Sequence, residues 1–230
     1  MPLLFTRRLF ENTAFGIWRI AEEEHFFSEK TTLEVYERQE LEQFKPGSLR
    51  RLEWWAARYL LHLLSDSPLR LPLAKDAFSK PFFIGKDSLH CSLSHSNGIV
   101  SALIAPVNCG CDIQLRTPKA LSLAPRFLSA EELAEINAAG ADSRVDLAHV
   151  YWTAKESLYK LWGTKNLDFR RDIRVWDWAE GKALSGKVER DGRVLRARLH
   201  TEKMALPDHR NMIWTACIEV SKENSQLYSF

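Results

Sequence analysis

The stretch Pro106-Val107-Asn108-Cys109-Gly110-Cys111-Asp112-Ile113-Gln114-Leu115-Arg116-Thr117-Pro118 decides how this 230-residue chain is divided. On each side of it, helices are followed by strands. Before it, Thr13 to Ile20 (TAFGIWRI) has the β-branched and aromatic content of a strand. Helical stretches follow over residues 21–28 and 31–43. After the break at Pro46-Gly47, Ser48 is a good N-cap for a long helix over residues 49–64. Strand-like pieces then crowd together, Pro81 to Ile84, Leu89 to Leu93, Ile99 to Ala105 and Cys109 to Leu115, in the manner of an antiparallel meander. Beyond Pro118 the pattern turns helical. Ser129-Ala130-Glu131-Glu132 is a capping box opening a helix to about Ala138, and residues 144–163 form a longer one. Ile173 to Val220 reads as three strands, with a hairpin turn at Asp191-Gly192. The pattern fits an α+β fold with two halves, residues 1–108 and 109–230, joined within the quoted stretch. One irregular α+β domain fits it equally.

Composition narrows the class of function. Hydrophobic residues make up 45% and charged residues 27%, enough to bury a core without staples. The net charge of +2 gives no global field that would announce nucleic acid as a partner. Cys91, Cys109, Cys111 and Cys217 form no zinc-ribbon or CxxC spacing and read as small buried residues in a reducing compartment. The N-terminal MPLLFTRRLFEN lacks the apolar run of a secretory signal. No stretch approaches the ~20 apolar residues of a membrane span, so the expected location is the cytoplasm.

Three segments carry candidate chemistry. Ser92-Leu93-Ser94-His95-Ser96-Asn97-Gly98 ends a strand in hydroxyls, an imidazole and a turn glycine, all suited to phosphate oxygens and equally ordinary in a turn. In Gly110-Cys111-Asp112-Ile113-Gln114, alternation puts Asp112 and Gln114 on one side of a strand. Two oxygen donors there suit a hard cation such as Mg²⁺, or simply a solvated face. In Tyr151-Trp152-Thr153-Ala154-Lys155-Glu156-Ser157-Leu158-Tyr159-Lys160, helical spacing aligns Trp152, Glu156 and Lys160. Ala154, Leu158 and Leu161 turn toward the core, and an exposed Glu–Lys pair is the simplest account.

Taken in order, these segments resemble the surfactin-type (Sfp-type) 4′-phosphopantetheinyl transferase family. Its pattern runs through a GKP-like segment, F-S-x-SHS, G-x-D-x-E and W-x-x-KE-[SA]-x-x-K. The chain presents Ser79-Lys80-Pro81, Cys91 to Ser96, Gly110 to Gln114 and Trp152 to Lys160. Phe127-Leu128-Ser129 with Glu131 or Glu132, and Ala57-Arg58-Tyr59-Leu60-Leu61, are similar to two further family segments. The resemblance covers roughly residues 13 to 220.

The resemblance implies two similar α+β halves in pseudo-twofold arrangement, with the active site in the cleft between them. It implies a holo-carrier-protein synthase, a transferase moving the 4′-phosphopantetheine arm of coenzyme A to a serine of an acyl or peptidyl carrier protein. By the same resemblance, Asp112 and Glu156 hold Mg²⁺ and Glu156 takes the serine proton. Lys160 neutralises phosphate, Ser94 and His95 contact nucleotide phosphates, and Lys80 and Lys155 lie near coenzyme A. Arg51 and Arg58 are looser phosphate candidates that packing could equally explain. The chain departs from the family at Gln114, where the pattern has Glu. This puts its role as a third metal ligand in question and predicts a weaker site before coenzyme A binds. Carrier protein and coenzyme A are the expected partners, without nucleic acid or membrane, and two halves in one chain predict a monomer. A non-catalytic binding module of the same fold and a metal-dependent phosphohydrolase are the competing readings.

Overall fold

The structure is a computed structural model that describes residues 2–177 and 184–220, with only the backbone described at Asp142. The fold class is α+β, as the sequence implies. The chain divides into two compact units, Met1–Asn108 and Cys109–Phe230.

The N-terminal unit is built on six strands: β1 (Leu3–Arg7), β2 (Ala14–Arg19), β3 (Leu73–Lys75), β4 (Pro81–Phe83), β5 (His90–Ser96) and β6 (Ile99–Ala105). They form one antiparallel sheet in the order β1-β2-β6-β5-β4-β3. Helices α1 (Glu24–Lys30), α2 (Val35–Glu42) and α3 (Leu49–Leu64) lie between β2 and β3 in sequence. The Ser48 hydroxyl caps α3 by accepting from the Arg51 amide. Trp54, Ala57, Leu60, Leu61 and Leu64 on α3 pack with Trp18, Val100 and Ala102 of the sheet into one core. Helix α3 lies close over β2, since a β-carbon at Gly16 would come within 3.1 Å of the Leu60 side chain.

The C-terminal unit repeats the principle with one long helix. Strands β7 (Cys109–Leu115), β8 (Ile173–Trp176), β9 (Leu184–Arg190), β10 (Arg193–Ala205) and β11 (Asn211–Glu219) form an antiparallel sheet in the order β7-β11-β10-β9-β8. Helix α4 (Lys119–Leu123), a 3₁₀ turn (Ala124–Arg126), α5 (Ala130–Ala138) and α6 (Ala141–Trp162) precede β8. The capping box at α5 forms as read, the Ser129 hydroxyl accepting from the Glu132 amide and Glu132 accepting from the Ser129 amide. Ala154, Leu158 and Leu161 of α6 are fully buried in the sheet-facing core, on the face that helical spacing assigns them.

Several sequence expectations change. Cys109–Leu115 is not part of the meander with β4, β5 and β6. Its partner is β11, with Asp112 opposite Thr215, a pairing across a hundred residues that local pattern does not reveal. Among the described residues the tail holds four strands, not three: a short β8 precedes the β9–β10 hairpin, whose Asp191-Gly192 turn has positive φ at both residues. Strands β1 and β3 carry no local sequence signal of the kind that marks the others. Of the read tail, residues 178–183 lie outside the described residues.

Candidate active site

In β7, alternation sends Cys109, Cys111 and Ile113 to one face and Gly110, Asp112 and Gln114 to the other. The second face meets α6. A β-carbon at Gly110 would lie 2.0 Å from the Ser157 carbonyl oxygen and 3.0 Å from the Leu161 amide. Only glycine permits this approach, and the approach brings Asp112 beside the helical turn Glu156–Lys160. Gly110→Ala should therefore push α6 off β7, costing about 1–3 kcal/mol in a urea melt. It should also remove activity that depends on Asp112 and Glu156 acting together.

Asp112 is almost fully buried, at 3% exposure. Its Oδ1 accepts from the Lys160 ammonium at 2.8 Å, and the same ammonium donates to the Cys111 carbonyl at 2.9 Å. Gln114 Nε2 approaches Asp112 Oδ2 at 3.5 Å. Burial and the neighbouring Asp112 charge raise the Glu156 carboxyl to about pH 7, against an ordinary 4.5, with Lys160 partly offsetting them. Burial opposes the charge on Lys160, but Asp112 and Glu156 outweigh it and hold its pKa above the usual range. This is not the exposed Glu–Lys pair of the simplest reading. Two carboxylates and a cation share a partly desolvated corner of one unit.

That donor set fits a divalent cation. The charge of Asp112 that raises Glu156 is relieved by a positive ion, and Gln114 adds an amide. Among the described residues no group of three or more His, Cys, Asp or Glu could hold a metal. Oxygen ligands beyond these must then come from water or from a bound phosphate, the usual habit of Mg²⁺.

Lys155 lies on a different side of the helix from Glu156. One residue along the helix is about 100° around it, so Lys155 points away from Glu156. Its ammonium has no exposed surface. It pairs with Glu132 at 2.6 Å and donates to the carbonyls of Phe127, Phe169 and Ile173 at 3.1, 2.7 and 2.9 Å. It ties α6 to α5 and to the start of β8. Glu132 does more than cap α5. Its Oε1 also accepts from the Val175 amide, so it anchors three elements.

The remaining candidates lie in the N-terminal unit. His95, at the end of β5, is half exposed, and its Nδ1 lies 2.9 Å from Glu53 Oε2. Ser94 is buried. The Lys80 ammonium donates to the Asn108 side chain. Arg51 and Arg58 each have acidic partners within the N-terminal unit. Arg51 pairs with Glu24 at 2.7 Å and donates to the Leu41 carbonyl. Arg58 is buried, stacks 3.4 Å from the Trp54 ring centroid and pairs with Glu40 at 2.7 Å and Glu37 at 3.6 Å. Burial pulls the Arg58 pKa down to about 10, against the two carboxylates. Both arginines fasten the short helices α1 and α2 to α3.

Comparison with known proteins agrees with the motif. Residues 108–216 match the model of the 4′-phosphopantetheinyl transferase superfamily. A 4′-phosphopantetheinyl transferase, AcpT, of Escherichia coli K12 is 33% identical over 124 residues, 52% of this chain and 62% of that protein. The AcpT of Salmonella typhi is 32% identical over 119 residues, 50% of this chain and 60% of that protein. A 4′-phosphopantetheinyl transferase of Bacillus subtilis is 26% identical over 93 residues, 40% of this chain and 42% of that protein. The chain thus spans less than two thirds of the length of these relatives. The similarity to the 4′-phosphopantetheinyl transferase superfamily falls on the C-terminal unit, which holds Asp112, Glu156 and Lys160.

Proposed function

We propose that the chain is a 4′-phosphopantetheinyl transferase that moves the arm of coenzyme A to a serine of an acyl or peptidyl carrier protein. The observation that carries this is the packing of Asp112 against the Glu156–Lys160 turn through Gly110, within residues that match the superfamily. Asp112 and Glu156 would hold Mg²⁺, with Gln114 close enough to contribute its amide or a water. The ion, when bound, supplies charge neutralisation to the pyrophosphate.

The residues of the chain do the rest. Glu156 would take the proton of the carrier serine, directly or through a water. The serine oxygen then bonds to the β-phosphorus as the bond from that phosphorus to the bridging oxygen breaks. 3′,5′-Adenosine bisphosphate leaves with the electron pair. Lys160 offsets the charge gathering on the phosphoryl oxygens, which is most of what such a transfer requires. Ser94, His95 and Lys80 are assigned to the nucleotide phosphates. A monomeric, cytoplasmic enzyme is part of this reading. No described helix is long and apolar enough to cross a membrane.

Gln114 in place of an acid removes one negative charge from the donor set. Mg²⁺ titrated by calorimetry should bind at least about tenfold tighter once coenzyme A is present, because its phosphates supply missing ligands. Tight binding to the chain alone would contradict this.

The assignment is tested by incubating the chain with coenzyme A, Mg²⁺ and a panel of apo carrier proteins and weighing the products. A carrier that gains the mass of one phosphopantetheine arm supports the transferase. Coenzyme A consumed with no carrier labelled would mean a phosphohydrolase. Binding without turnover would mean a non-catalytic module.

A further inference from the structure

A buried carboxylate in the N-terminal unit has no part in the chemistry so far. Glu53 sits on α3 among Trp54, Trp55 and Ala56, at 5% exposure. An acid at such a place needs partners. Its Oε2 faces His95 Nδ1 at 2.9 Å and Arg50 Nη1 at 3.6 Å. Its Oε1 accepts from the Gly98 amide at 3.0 Å. Burial pushes the carboxyl up, but the His95 and Gly98 hydrogen bonds, with the charges of His95 and Arg50, more than reverse this and hold it below the ordinary range.

Gly98 and Asn97 are the two residues between β5 and β6, and both have positive φ, the geometry of a type I′ hairpin turn. The Gly98 carbonyl accepts from the Ile20 amide at 2.8 Å, just past the end of β2. Glu53 therefore fixes the turn and the ring that stands before it at the same time. With Nδ1 engaged, only Nε2 of the half-exposed ring is left to meet a ligand, and the partner at one nitrogen decides what the other can do. Arg50, itself about half exposed, adds positive charge beside it.

We propose that Glu53 is a positioning residue for phosphate binding by His95. It holds the ring through Nδ1–H so that a protonated Nε2 faces a phosphate monoester group, which under the reading above is a terminal phosphate of coenzyme A. The imidazolium is then held between two anions, a carboxylate behind and a phosphate in front, and both ring protons are used. A free imidazole at a hairpin end would have to give up rotational freedom on binding; this one has already done so.

The inference rests on the transferase reading for its ligand, so the test has one arm that does not. In the first arm, KM and kcat are measured with coenzyme A and with dephospho-coenzyme A, which lacks the 3′-phosphate. Glu53→Gln is expected to raise KM for coenzyme A about tenfold, the size of one lost charge-assisted hydrogen bond. The change for dephospho-coenzyme A should be under threefold. His95→Ala should do the same, and the double variant should be no worse than His95→Ala alone. Independent, additive losses, or equal losses with both donors, would overturn the proposal.

In the second arm, nitrogen NMR follows the His95 ring without any substrate. The neutral ring should carry its proton on Nδ1 in the parent chain and shift toward Nε2 in Glu53→Gln. An unchanged tautomer overturns the proposal even if no carrier is ever labelled, whereas the predicted shift in a chain inactive toward every carrier would leave Glu53 as positioning residue and remove only the transferase reading.

Discussion

At pH 8 and without metal, the Glu156→Gln protein is expected to melt roughly 4–8 °C above the parent chain while losing at least about 100-fold in carrier modification. The two effects have one cause. The Glu156 carboxyl titrates near pH 7 in the folded chain because it is buried beside Asp112. Unfolded, it titrates near its ordinary 4.5. Between these values the folded chain holds a proton that the unfolded chain has released, so stability falls as pH rises through the window. By pH 8 the accumulated cost is about 2–3 kcal/mol. Glutamine carries no charge and escapes it. Scanning calorimetry of both proteins at pH 5 and pH 8 checks this: the gap should open at pH 8 and close toward pH 5. The same replacement removes the proposed base and a proposed metal ligand. A residue that weakens the fold while serving the reaction is the expected trade at an active site. A Glu156→Gln protein that melts no higher at pH 8 would show the two carboxylates to be more solvated than the structure has them.

Lys155→Met is expected to cost about 3–5 kcal/mol of stability, because it leaves Glu132 buried without its cation and three carbonyls without a donor. The melting temperature should fall by about 10 °C or more. KM for coenzyme A in the folded fraction should stay within about threefold, since nothing on this ammonium faces solvent. A lysine that touched coenzyme A would give the opposite result, with KM raised and the melting point kept. Urea melts and steady-state kinetics on the same samples separate the two.

The helices were legible where a local device marks them. Ser48 and the Ser129–Glu132 box announce α3 and α5, and the three-and-four spacing of Ala154, Leu158 and Leu161 gives the core face of α6. The Asp-Gly pair at 191–192 marks its turn for a similar reason, since both residues tolerate positive φ. The partner of β7 was not legible. Leu115 follows the β5–β6 hairpin closely in sequence, yet it pairs with Met212, and nothing nearby in the chain encodes that register.

The site divides along the same line. Asp112, Glu156 and Lys160 come together because alternation in a strand and a four-residue step in a helix are local rules. The place of Gly110 in the motif has its reason only in the carbonyl of Ser157. Lys155, Arg51 and Arg58 are basic residues whose partners the sequence does not show. Their counterions Glu132, Glu24, Glu37 and Glu40 sit on other helices, and only the fold reveals the pairing. Glu53 was passed over. An acid set directly before the apolar run Trp54-Trp55-Ala56-Ala57 was the signal available.

The central claim is that Asp112 and Glu156 act on one ion. Mn²⁺, which stands in for Mg²⁺ at oxygen sites, can be titrated in the presence of coenzyme A and followed by the loss of its free EPR signal. The parent chain should bind one ion. Asp112→Asn and Glu156→Gln should each weaken binding at least about tenfold, and the double variant should be little worse than either, as for two ligands of one site. Parent-like Mn²⁺ affinity in both single variants would contradict the account.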